Sequence, residues 1–120
     1  MASSFRELIA YKKAYVLSLK IHEMSLTMPK IEQVELAGQL RRASKSVCLN
    51  IAEGFSRKDT SLAEFKRFLV MARSSCDEMR CGLDYCRDLN YIDLNTHKNL
   101  ELAYVEVGKI LTSMIKTWKF

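Results

Sequence analysis

Ser61 to Asp88, SLAEFKRFLVMARSSCDEMRCGLDYCRD, is the stretch that decides the fold. Phe65, Leu69, Ala72, Cys76, Met79, Leu83 and Cys86 recur at alternating spacings of four and three, with Phe68 beside Leu69 on the same arc. That is the period of a helix with one apolar face. Ser61, followed by Glu64, is a capping-box pattern at its start. On the N-terminal side stands a polar break, Arg57-Lys58-Asp59-Thr60. On the C-terminal side Asn90-Tyr91 reads as a turn, because Asn tolerates the left-handed conformation.

Working outward, three more segments carry helical patterning. Upstream, over about 32–56, Leu36, Ala37, Leu40, Ala43, Val47, Cys48, Ile51 and Phe55 fall on one arc, with Gly54 near the end, where Gly is expected. Downstream, over about 93–118, the stripe is Leu100, Ala103, Tyr104, Val107, Leu111, Met114 and Trp118, with Asp93 as a cap. The first segment, about 4–27, opens with a second capping box, Ser4 and Glu7, and ends before Pro29. Phe5, Leu8, Ile9, Val16 and Leu19 share one broad arc there, but Tyr11, Ala14 and Ile21 fall elsewhere. Apolar residues on more than one side point to a second contact surface. Helices of this length span about 35–40 Å. Short connections make sequential neighbours antiparallel, so the expectation is an all-α, up-down-up-down four-helix bundle forming one domain over residues 1–120.

Composition narrows the class. The chain has 120 residues with 48% hydrophobic and 28% charged, an ordinary globular balance. Four Gly and a single Pro leave few breakers for strands and hairpins. The longest stretch without a charge is Ser46–Ala52, seven residues, whereas a membrane-spanning helix needs about 20. The charged N-terminal turns lack the apolar core of a secretory signal, so a cytoplasmic location and no membrane association are expected. In that compartment Cys48, Cys76, Cys81 and Cys86 are expected to be reduced. Steps of five residues point the last three in three directions on a helix, which does not suit a metal site.

Neither histidine, His22 or His97, has a Glu three residues before it, so the paired Glu-x-x-His ligands of di-metal bundles are absent. No phosphate loop, zinc-protease motif or nucleophile elbow occurs. The expectation is a protein that is not an enzyme, with no cofactor and no metal.

Charge is more informative. Net charge is +5, and the stretch from Arg41 to Arg73 carries all of it, with eight basic residues against three acidic ones. The basic residues are Arg41, Arg42, Lys45, Arg57, Lys58, Lys66, Arg67 and Arg73. In a helical hairpin they meet at one end of the bundle, and a localised positive field attracts phosphate backbones. A solvating surface would look the same. Phe65 and Phe68 belong to the core arc, which leaves little aromatic stacking for bases. Asn50 and Glu53 are neighbours on one helix face, with two readings: ties from helix two to its neighbours, or direct ligand contacts.

The same residues carry a resemblance. Gln39-Leu40-Arg41-Arg42-Ala43, Ser46-Val47, Asn50-Ile51-Ala52-Glu53-Gly54 and Arg57 resemble the signature of the bacterial four-helix bundle proteins encoded in intervening sequences of 23S ribosomal RNA genes. Glu64-Phe65, Phe68-Leu69, Ala72, Ser75, Glu78, Tyr91, Gly108 and Leu111 continue it over nearly the whole chain. Ser74, Asn90 and Arg80 depart from the usual Gly, Gly and acidic residue. The resemblance implies a ring-like homopentamer and kinship with the accessory variability proteins of diversity-generating retroelements, which look like nucleic-acid-binding partners of a reverse transcriptase.

The functional expectation is a non-enzymatic oligomeric protein that binds RNA or DNA through the eight basic residues, with Asn50, Glu53 and Gly54 in a structural role. The alternative is a scaffold for a protein partner.

Overall fold

The computed structural model describes residues 2–119; residues 1 and 120 lie outside the described part. Its four helices are α1 (Ile9–Leu26), α2 (Leu36–Phe55), α3 (Leu62–Asp88) and α4 (Leu94–Thr117). Each packs on the next and α1 returns to α4, while the backbones of the diagonal pairs α1/α3 and α2/α4 stay apart. This is the expected up-down-up-down bundle, 46 Å long and 24 × 19 Å across.

Local chemistry explains the helix ends. The Ser61 hydroxyl accepts the Glu64 N–H at 3.1 Å and starts α3. The Asp93 carboxylate accepts the Thr96 N–H at 2.7 Å and starts α4. Between them Asn90 takes φ 63°, the left-handed conformation expected of it. The Tyr91 N–H then donates to the Cys86 carbonyl and the Asn90 N–H to that of Arg87, which closes α3 with a Schellman motif.

Two starts differ from expectation. Ser4 caps only a 3-10 turn, Phe5–Glu7, and Leu8 is extended before α1 begins. Glu7 does not complete a capping box, since its carboxylate accepts from the N–H and hydroxyl of Ser3. Helix α2 begins at Leu36 rather than near residue 32, after a 3-10 turn over Lys30–Glu32. The reason is that Arg41 donates to the Gln33 carbonyl at 2.7 Å. A helix running through this segment would have given that carbonyl to the residue 37 N–H.

The core runs along the axis through Leu40, Val47 and Ile51 of α2, Phe65, Leu69, Met79 and Leu83 of α3, and Tyr104, Val107 and Leu111 of α4. Burial pushes the Tyr104 hydroxyl pKa well up, and that hydroxyl has no hydrogen-bond partner among the described residues.

The α1 arc is the clearest correction. The core face of α1 is Ala10, Ala14, Leu17 and Ile21, all buried, whereas Ile9, Val16 and Leu19 are 61%, 52% and 52% exposed. Leu8 alone of the expected arc is buried, and Phe5 only half so. The segment is apolar nearly all round, and the face with small Ala residues goes inward because it lets α1 sit close to α2.

Phe68 is also not a core residue. It is half-buried at the edge of the α2/α3 seam, with the guanidiniums of Arg57 and Arg67 over its ring at 5.0 and 4.7 Å.

Candidate nucleic-acid interface

The eight basic residues do not form one patch. Helix phase and pairing divide them among three places.

Arg41, Arg42 and Lys45 lie along the α1/α2 seam. The Arg41 guanidinium is spent internally, donating to the Ser25 hydroxyl at 2.8 Å, the Gln33 side chain at 3.2 Å and the Gln33 carbonyl at 2.7 Å. Gln33 in turn donates to the carbonyls of Ser25 and Met28 at the end of α1. Arg41 therefore locks the α1–α2 connection, a role that its place in a basic run did not reveal. Arg42 and Lys45 are exposed. The Lys45 ammonium donates to His22 Nδ1 at 3.0 Å across the seam. These side chains, with Gln33, Val34 and Gly38, line a hollow of about 380 Å³ that contains no carboxylate.

Arg57, Lys58 and Arg67 sit at the α2–α3 end of the bundle, and the acids of the same stretch neutralise them. Arg57 lies 3.8 Å from Glu53 and 3.6 Å from Glu64. Lys58 pairs with Asp59 at 2.9 Å, and its ammonium lies over the Phe55 ring at 4.8 Å. Arg67 grips Glu64 at 2.8 Å and holds its carboxyl below the ordinary glutamate range.

Lys66 and Arg73 are on the far side. Seven residues apart, they share a face of α3, and Arg73 donates to the Thr112 hydroxyl of α4 at 3.2 Å. The α3/α4 seam lies across the bundle from the α1/α2 seam, so no flat surface covers all eight.

The signature residues have separate jobs. The Asn50 amide donates to the Ser46 carbonyl at 2.9 Å and its hydroxyl at 3.0 Å, and that hydroxyl meets Ser75 at 3.0 Å. This short polar ladder ties α2 to α3. Glu53 pairs with Arg57 alone among the described residues, so it reaches no neighbouring helix. Gly54 does not serve as a helix terminator, since no glycine has positive φ. A Cβ there would stand 2.7 Å from Phe68 Cβ and 3.1 Å from the Phe65 carbonyl. Its bare backbone is what lets α2 and α3 touch.

Asp84, His97 and Glu101 bring donor atoms within 4.8 Å of one another, the one such group among the described residues. The clue in the sequence was the four-residue spacing of His97 and Glu101 on one helix face. Their chemistry is already committed: His97 Nε2 meets Asp84 at 2.8 Å, and Arg80 holds Glu101 at 2.9 Å and Asp77 at 3.3 Å. With Arg80, the group works as a clasp of hydrogen bond and ion pair between α3 and α4. Of the cysteines, Cys48, Cys76 and Cys86 are buried and only Cys81 faces out. Two of the last three thus point inward rather than all three diverging. Burial pushes the thiols of Cys48, Cys76 and Cys86 up to about 11, 12 and 11.

No described helix is long and apolar enough to cross a membrane. What the fold and its polar ladder define is a small antiparallel four-helix bundle whose interior is sealed and whose polar chemistry sits on its seams. The family model for the 23S rRNA-intervening sequence protein matches residues 6–113, and the chain belongs to that family. A crystal structure of a protein of unknown function, from the S23 ribosomal protein family of Bacteroides thetaiotaomicron, has the same fold. The TM-score is 0.81 at 22% identity, over 91% of this chain and 96% of that one. No curated protein matches the sequence.

Proposed function

We propose that the protein is a non-enzymatic, oligomeric, cytoplasmic binding protein that holds RNA or DNA by its phosphates, with Arg42 and Lys45 as the leading contacts. The observation that carries this reading is the hollow lined by His22, Arg41, Arg42 and Lys45 with no carboxylate among its walls. Elsewhere in the basic stretch, Arg57, Lys58 and Arg67 already have anionic partners. A cation with a carboxylate at hand gives up that pair to bind phosphate, so free cations contribute more. Lys66 and Arg73 add positive potential on the opposite seam. In the homopentamer that the resemblance implies, one hollow per subunit would repeat around a ring, and several weak sites would act as one strong one.

The exposed apolar face of α1 (Tyr15, Val16, Leu19 and Leu26) supports the oligomeric part. It also favours the alternative, a scaffold for a protein partner.

The experiment is retention of a single-stranded RNA and a duplex DNA across a salt series. Phosphate binding predicts a linear fall of log affinity with log salt, steep between about 50 and 200 mM. The double charge reversal Arg42→Glu with Lys45→Glu should abolish retention while leaving helicity and melting unchanged. Affinity indifferent to salt, or no retention of either probe at the lowest salt, refutes the reading.

A further inference from the structure

On the other side of α2 from the basic hollow, at the same end of the bundle, the N-terminal part of α2 and the C-terminal part of α3 enclose a groove of about 410 Å³. We propose that this groove docks a cationic, amphipathic segment of another protein. The proposal concerns a surface separate from the basic hollow and does not depend on nucleic-acid binding.

The floor is apolar and its shape follows from one residue. Gly82 has no side chain, and Leu40 lies against it so closely that a Cβ would meet Leu40 Cδ2 at 2.6 Å. Leu36 and Leu89 provide the apolar surface over the buried Leu40, and Tyr85 stands 59% exposed beside it. This is the form of a groove that takes the apolar face of a helix.

The rim is acidic. Glu32, Glu35 and Glu78 line it, with no Lys or Arg among the lining residues. None of the three is in an ion pair among the described residues. Glu32 accepts from the Tyr91 hydroxyl at 2.8 Å and Glu78 from the Gln39 amide at 3.4 Å, neutral partners both. At the opposite end Glu53, Asp59 and Glu64 are all paired with Arg or Lys. A protein of net charge +5 thus keeps three uncompensated carboxylates around one apolar trough.

That charge selects the occupant. Phosphate backbones and anionic headgroups are repelled. The α2–α3 end of a second copy would not serve, since its Arg57 and Lys58 are already neutralised. A separate protein segment with apolar residues on one face and Lys or Arg on the flanks satisfies both floor and rim.

Cys81 offers a local readout. It lines the groove and is the exposed one of four cysteines, so a small alkylating reagent reaches it first. The experiment measures the alkylation rate of Cys81 in the full-length protein against increasing amounts of a synthetic amphipathic Leu/Lys helical peptide. Saturable protection is expected, and none from a matched Leu/Glu peptide. In Glu35→Gln with Glu78→Gln, which keeps the Glu32–Tyr91 bond and hence the local fold, apparent affinity should fall about fivefold, two exposed pairs at their usual strength. Absence of protection overturns the proposal, as does equal protection in the variant or by the Leu/Glu peptide. Slowing with protein concentration alone would assign the groove to a second copy, and protection by RNA would assign it to nucleic acid; either result overturns it too.

Discussion

Gly54 and Gly82 both sit inside helices with ordinary backbone angles, and both mark a close approach of α2 to α3. They differ in what stands opposite. At Gly54 the obstacle is Phe68 Cβ at 2.7 Å and the Phe65 carbonyl at 3.1 Å, atoms that cannot move without moving α3. Gly54→Ala should therefore destabilise by about 1–3 kcal/mol, the usual cost of overpacking. At Gly82 the near atom is the tip of the Leu40 side chain. Rotation of that leucine, together with the gain of about 1 kcal/mol that Ala brings to a helix, should hold Gly82→Ala near neutral. Chemical denaturation of the two variants checks the pair; equal losses would refute this account of the seam. Arg41 and Arg42 divide in the same way. The first holds Ser25 and Gln33 in place, and the second meets solvent. Arg41→Ala strands the Gln33 carbonyl and should cost about 1–3 kcal/mol, whereas Arg42→Ala should stay within about 0.5 kcal/mol. The sequence shows two adjacent arginines and cannot assign these roles, because the partners are 8 and 16 residues distant.

At the scale of the element, caps and turns were legible and the orientation of α1 was not. Ser61, Asp93 and Asn90 act where their chemistry suggests, since a cap or a left-handed turn is made with residues two or three positions away. Asp93 allows a pH test. The Thr96 N–H holds its carboxyl below the ordinary aspartate value of 3.8. A depressed folded-state pKa stabilises the fold above the ordinary value, and that contribution disappears as pH falls through the lower folded value. Asp93→Ala should therefore melt below the parent at neutral pH, and the gap should close in acid below pH 3.8. A gap unchanged at low pH would mean that the carboxylate is not the cap. In α1, by contrast, apolar residues occur on several sides, so the period carries no phase. Ala10 and Ala14 go inward and Val16 and Leu19 outward because small residues let α1 approach its neighbours.

For the whole molecule, the distribution of charge matters more than its total. The acids of the basic stretch cover Arg57, Lys58 and Arg67 and leave Arg42 and Lys45 open. The α1/α4 seam is the loosest of the four, and the outer face of α1 beside it carries exposed Val16 and Leu19. An oligomer closing over that face predicts a specific outcome. Leu19→Asp with Leu26→Asp should lower the mass in analytical ultracentrifugation to 13.9 kDa with no loss of helicity. An unchanged mass, or a parent protein already of that mass, removes α1 as the contact surface.

The number of helices, their approximate ends, the core faces of α2 and, Phe68 apart, of α3, and the family were all legible in the residues alone. These are encoded in spacings of three and four and in caps that act within one turn of the chain. Tertiary structure alone decided which side of α1 is buried, why Gly54 is glycine, which cations are spent on carboxylates, and that three unpaired glutamates ring an apolar groove. Each of these depends on groups brought together through space by packing, and a one-dimensional pattern does not record a partner on another helix.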